Sequence, residues 1–100
     1  MKIVYIAYPY TSNPVVNTHK VIKIADRLVK MGFVPYIPHL NLLWDIVSPK
    51  SPQFYYDYDI HFLLKCDCVL RLGGESVGAS HEVAVANKNN IPVFYDIKEL

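Results

Sequence analysis

One hundred residues, 52% hydrophobic, with ten lysines and arginines against nine aspartates and glutamates, describe one globular domain of near-neutral charge. That balance leaves no basic patch for a nucleic-acid polymer. The apolar opening "MKIVYIAYPY" is too short for a membrane span or a signal peptide, and Pro9 interrupts it. The expected address is therefore cytoplasmic, where Cys66 and Cys68 stay reduced.

Strand and helix signals alternate along the chain. "KIVYIAY" is a continuous apolar run that suits a strand buried on both faces. Asn13 followed by Pro14 is a helix cap with proline at the first helical position. Val21, Ile22, Ala25, Leu28 and Val29 then repeat at helical spacing until Gly32. "FVPYIP" predicts a second strand in which Pro35 marks an irregularity. Residues 38–52, with three prolines, predict a long loop holding a short turn of helix around "NLLWD". A helix is expected from about Gln53 to Lys65, then a strand "DCVLRL" with Cys66 and Cys68 on one face. "VGASHEVAVANK" predicts the next helix and "IPVFYDI" the last strand.

This βαβαβαβ order calls for an α/β fold: a single-domain, doubly wound, flavodoxin- or Rossmann-like parallel sheet of about four or five strands flanked by helices. Ligands in such sheets bind outside the carboxyl ends of the strands. Three segments converge there: "YPYTSNP", the long loop, and "GGESVGAS". Glu82 lies within two turns of the start of the helix that follows the last of these.

Three stretches carry a resemblance. "VYIAYPYT", "DIHFLLKCD" with aspartates eight residues apart, and "SVGASHEVAVA" with its serine, glycine and glutamate spacing resemble the nucleoside 2-deoxyribosyltransferase superfamily, including the 2'-deoxynucleoside 5'-phosphate N-hydrolases. The resemblance spans nearly the whole chain. It implies that Glu82 is the nucleophile at C1' of a deoxyribose, that Asp59 assists the departing base as proton donor, and that Tyr5 contacts the nucleophile or sugar. It further implies that Ser76 and Gly78 receive a 5'-phosphate and that Asp67 is structural. Ala7, Tyr8, Tyr10, His39 and Ala79 join these as candidate substrate contacts. No cofactor is implied; the partner is a small-molecule nucleoside or nucleotide.

Elementary chemistry is consistent with these roles. Breaking a glycosidic bond builds positive charge on the sugar, which a carboxylate captures. A second carboxyl must keep its proton, and the aromatic neighbours of Asp59 (Tyr55, Tyr56 and Phe62) are expected to raise its pKa by desolvation. Ser76 is placed as an N-cap, and helix N-termini bind phosphate without a basic patch. Gly78 and Ala79 are read as keeping the approach to Glu82 open, against the plainer reading that Gly78 serves a backbone turn.

The sequence also departs from the family. Tyr8 stands where relatives commonly carry glycine, and "YPYTSNP" lacks the arginine that the hydrolases offer a phosphate. The chain ends at Leu100 without the C-terminal groups of the longer transferases, which favours hydrolysis over transfer. A non-catalytic nucleotide-binding module of the same fold is the alternative function. His61, Cys66, Cys68 and His81 fit no familiar zinc spacing, so no metal is expected. His39 is weighed as a substrate contact against ordinary loop packing, and Trp44 and Asp45 as base-pocket walls against loop anchors. "FYYDYD" reads as core and interface aromatics, and the density of Tyr55, Tyr56 and Tyr58 predicts a homodimer or higher oligomer.

Overall fold

The run Ile3–Ala7 forms a strand, β1, whose last four residues, Val4 to Ala7, are fully buried. A strand covered on both faces has to be central, and its alternation divides the core in two. Val4 and Ile6 face one side with Cys68 and Leu70, while Tyr5 and Ala7 face the other with Val69. The computed structural model, which describes residues 2–100, continues with α1 (Pro14–Lys30), β2 (Val34–Tyr36), a 3₁₀ turn (Pro38–Leu40), α2 (Asn41–Val47) and α3 (Pro52–Leu63). Then follow β3 (Cys68–Arg71), α4 (Val77–Lys88), β4 (Val93–Phe94) and a final 3₁₀ turn (Ile97–Glu99).

The four strands pair in parallel in the order β2-β1-β3-β4. Helix α1 covers one face through Val21, Ala25 and Leu28. Helices α3 and α4 cover the other through Leu63, Ala79 and Ala86. This is the expected doubly wound α/β fold. Strand order reverses between β1 and β3, so the chain leaves those two neighbours in opposite directions and opens a crevice at their carboxyl ends.

Local chemistry explains the boundaries. Asn13 accepts from the Val16 amide at 3.3 Å with Pro14 in the first turn. Gly32, at φ +90°, ends α1 where a side chain would be strained. Pro35 is tolerated because β2 is an edge strand. Asp67 closes the start of the sheet: its carboxylate accepts from the Ile3 amide at 2.6 Å and its own amide donates to the Ile3 carbonyl at 2.9 Å.

The short helix expected around "NLLWD" forms as α2, where Trp44 packs edge-on against Phe54, Tyr55 and Tyr58 of α3, and the 3₁₀ turn before it leaves less of residues 38–52 as loop than expected. One expectation is corrected. Cys66 and Cys68 do not share a face. Cys66 lies in the turn before β3 and packs with the α3/α4 side, whereas Cys68 begins the strand and packs with the α1 side.

Gly73 fastens the two loops of the crevice together. Its φ is +84°, and a Cβ there would sit 2.7 Å from Cδ of Pro9 and 2.9 Å from Cε2 of Tyr8. Gly73→Ala is expected to cost about 1–3 kcal/mol, lowering the melting temperature by about 5 °C or more. Gly74→Ala, where a Cβ meets nothing within 4 Å, is expected to leave it nearly unchanged; thermal unfolding of the two variants checks the contrast.

Candidate active site

A cleft of about 960 Å³ occupies the crevice, and Glu82 of α4 and Asp59 of α3 both line it. Each carboxyl is held by a tyrosine. The Tyr5 hydroxyl donates to Glu82, and the Tyr36 hydroxyl donates to Asp59 at 3.0 Å. Tyr5 and Tyr36 are register partners on adjacent strands, and their rings stack at 5.4 Å with an 18° interplanar angle. Phe62 stacks on Tyr36 in turn, at 5.0 Å. Asn41, at the start of α2, completes the clamp by donating to both oxygens of Asp59 at 2.9 and 3.1 Å. The relative position of the two carboxyls is thus tied to the pairing of β1 with β2.

Burial sets the proton inventory. Desolvation pushes Glu82 up to about 7; the Tyr5 hydrogen bond opposes this, the charge of Asp59 adds to it, and the charge of Arg71 opposes it. Desolvation also pushes Asp59 up to about 6, against the donors Asn41 and Tyr36. Both phenols are raised by burial and by these carboxyls, so they stay protonated as donors. The raised Asp59 was expected; the rise at Glu82 was not. It follows from the position of Glu82 over Tyr5, which is fully buried. Near neutral pH such a pair carries about one proton between its two carboxyls.

The other expected residues fall into three groups. Tyr8, Tyr10, His39, Ser76, Gly78 and Ala79 line the cleft. Tyr5 acts from beneath, reaching Glu82 with its hydroxyl. Ala7 is corrected: it ends β1 under α4, fully buried, with its carbonyl taken by the Leu72 amide at 3.1 Å. A ligand has no access to its side chain.

Details refine the first group. Tyr8 leans on Gly73 and meets His39 edge-on. His39 is 3% exposed and its Nε2 lies 3.0 Å from the Pro9 carbonyl, so this nitrogen donates; burial lowers the imidazole pKa and keeps it neutral. Ser76 caps α4 by accepting from the Ala79 amide at 3.1 Å, leaving its own hydrogen free to donate. Gly78 lies in the helix without a positive φ, and a Cβ there would meet nothing within 4 Å. The backbone-turn reading of Gly78 therefore fails. Ala79 is 2% exposed against Tyr5 and Ala7, so packing against the sheet requires its small size.

Tyr36, Asn41 and Arg71 were not anticipated. Arg71 ends β3 and donates to the carbonyls of Leu72 and, at 2.6 Å, Gly74. The signal for Tyr36 was its register with Tyr5, which needs the sheet. The tyrosines of α3 also have partners within the chain: Tyr55 donates to Asp45 at 2.9 Å, Tyr56 meets His81 edge-on, and Tyr58 packs on Trp44. Tyr55 and Tyr56 line the cleft.

The raised Glu82 pKa has a consequence for stability. Its folded value of about 7 exceeds the ordinary 4.5, so the folded state binds a proton that the unfolded chain releases. That contribution is full below about 4.5 and is lost as pH rises through about 7. The stability difference between wild type and Glu82→Gln, measured by chemical denaturation from pH 4.5 to pH 8, is expected to move against the wild type as pH rises. A pH-independent difference would contradict the burial.

Comparison with known proteins places the fold. The chain is similar in structure to a 2-deoxyribosyltransferase from the psychrotolerant bacterium Bacillus psychrosaccharolyticus, with a TM-score of 0.69 at 18% identity over 91% of this chain and 69% of that one. No curated protein matches the sequence. Residues 2–96, nearly the whole length, match the family DUF7768, described as a domain of unknown function, and the chain belongs to it.

Proposed function

We propose that the protein hydrolyses, or transfers, the N-glycosidic bond of a 2'-deoxynucleoside or its 5'-monophosphate. The observation that carries the reading is the carboxyl pair lining one cleft, each member held by one of two stacked tyrosines. In the unliganded cleft the shared proton rests mainly on Glu82, whose pKa of about 7 lies above the value of about 6 at Asp59. The productive form is the other one, with the proton on Asp59 and Glu82 as the anion, which the positive charge building at C1' stabilises. Glu82 forms a bond to C1' as the C1'–N bond breaks; the bond's electrons pass to the base nitrogen, which takes the proton of Asp59. Water then attacks C1', gives a proton to Asp59 and releases Glu82. With a second base in place of water, the same intermediate yields transfer.

The Tyr5 hydroxyl and the charge of Arg71 favour the Glu82 anion; Tyr5 is a positioning residue. Amides at the start of α4 and the Ser76 hydroxyl suit a 5'-phosphate, and the open space over Gly78 suits close approach of the sugar. Membrane insertion has no support from the helices: among the described residues none is long and apolar enough to cross a bilayer.

A homodimer or larger assembly belongs to the same proposal. Leu43, Ile46 and Val47, spaced three and four residues apart on α2, are 67%, 67% and 84% exposed, an apolar stripe of the kind that subunits cover. Light scattering at micromolar concentration is expected to give a dimer or more; a monomer refutes the assembly.

The activity is tested by incubating the protein with 2'-deoxynucleosides and their monophosphates and measuring free base. Glu82→Ala is expected to reduce release on the order of a thousandfold or more. Ligand binding without any base release would make the protein a nucleotide-binding module instead. Gly78→Val is expected to keep the melting temperature within a few degrees and to abolish nucleotide binding by filling the approach to Glu82. Affinity that survives this change would remove Gly78 from the site.

A further inference from the structure

The cleft continues past the carboxyl pair along α2. Asn41 and Asp45 are one helical turn apart on the same face, about 6 Å along the axis, and both line the cleft. Asn41 is bonded to Asp59, so Asp45 stands about one turn beyond the group assigned to the departing base. There the cleft is walled by two aromatic rings. Tyr10 comes from the loop after β1, and Tyr55 comes from α3. Both feel the charge of Asp45, which helps raise their pKa values.

The carboxylate itself is fixed and ionised. Its Oδ1 accepts from the Lys50 amide at 3.0 Å and from the Tyr55 hydroxyl at 2.9 Å. Together these hold its pKa below the usual range. Oδ2 has no partner among the described residues. The nearby cation is engaged elsewhere: Lys50 Nζ donates to Ser48 Oγ at 3.1 Å and lies over the rings of Trp44 and Phe54, 5.5 and 5.4 Å from their centroids. Lys50 also lines this end of the cleft, with its ammonium drawn toward Ser48 and the two rings, so the end of the cleft offers flat apolar walls and a charged acceptor in Oδ2 of Asp45.

We propose that this end of the cleft is the base subsite and that Asp45 selects bases with an exocyclic amino group, adenine or cytosine, over their oxo counterparts. The inference rests on the reading of the cleft as a nucleoside site and adds the substrate class. An amino group donates to Oδ2; an oxo group there brings two acceptors together and leaves the carboxylate unpaired. A hydrogen-bonding site rejects analogues that cannot complete the bond, and at a partly exposed carboxylate the discrimination is about tenfold.

Two matched pairs differ in this group and in the ring nitrogen beside it, an acceptor in the amino base and an N–H donor in the oxo base: 2'-deoxyadenosine with 2'-deoxyinosine, and 2'-deoxycytidine with 2'-deoxyuridine. Base release is expected to favour the amino member of each pair about tenfold in kcat/KM. Calorimetry on the free bases, adenine against hypoxanthine and cytosine against uracil, is expected to show the same preference in Kd. Asp45→Asn keeps Oδ1 as acceptor for Lys50 and Tyr55 but turns an amide donor toward the ligand. It is expected to bring both ratios to unity or reverse them, with the melting temperature retained. Equal treatment of the pairs by the wild type, or ratios unchanged in Asp45→Asn, overturns the assignment. Discrimination among free bases without cleavage would refute the proposed activity and leave this subsite standing. Cleavage without discrimination would do the reverse, and no binding of any base refutes the subsite.

Discussion

A carboxyl group set against a fully buried strand must either be hydrogen-bonded or keep its proton, and Glu82 does some of each. Its partner is the hydroxyl of Tyr5, a residue with no exposed surface at the centre of the sheet. The phenol is packed into the half of the core that α3 and α4 cover, so Glu82 is held by a side chain with no room to move. Asp59 is held in the same way from the next strand, through Tyr36. The stacked tyrosines convert the register of two strands into the spacing of two carboxyls. Folding alone fixes this geometry, so the proposed reaction at the pair would need no reorganisation.

The remainder of the fold serves that arrangement. Reversal of strand order at β1 and β3 opens the crevice, and small residues bring α4 against the sheet beneath it. Ala79 and Ala86 face Tyr5 and Ala7 with almost no exposure. Gly73 and Arg71 shape the loop from β3 to α4, the first by packing under Tyr8 and Pro9, the second by binding two of the loop's carbonyls. Helices α2 and α3 close the other side through an aromatic cluster centred on Trp44. Stability is given up where the carboxyls are desolvated, as is common at functional sites.

Most of the fold was legible in the sequence because its signals are local. Proline after a capping Asn13, glycine at Gly32, and the uninterrupted run around Tyr5 each identify an element within a few residues. The position of Glu82 in the helix that opens on the crevice followed from element order alone. What was hidden depends on neighbours distant in the chain. Tyr36 matters because it pairs with Tyr5 across a register that no local pattern encodes. Asn41 begins the short helix that "NLLWD" suggests, but its bonds reach Asp59, 18 residues further along the chain, where no local pattern points. Ala7 was misplaced for a related reason: a residue at a strand's carboxyl end is near the crevice, but its side chain belongs to the face that the pleat assigns it.

The site depends on the coupling of Glu82 and Asp59, and carbon-13 NMR titration of the side-chain carboxyls in the unliganded protein reads that coupling. Both signals are expected to shift with midpoints well above the usual carboxylate range, near 6 and 7, and Asp59→Asn is expected to move the Glu82 midpoint down by removing the neighbouring charge. Two independent titrations near the ordinary value of about 4, each indifferent to loss of the other, would contradict it.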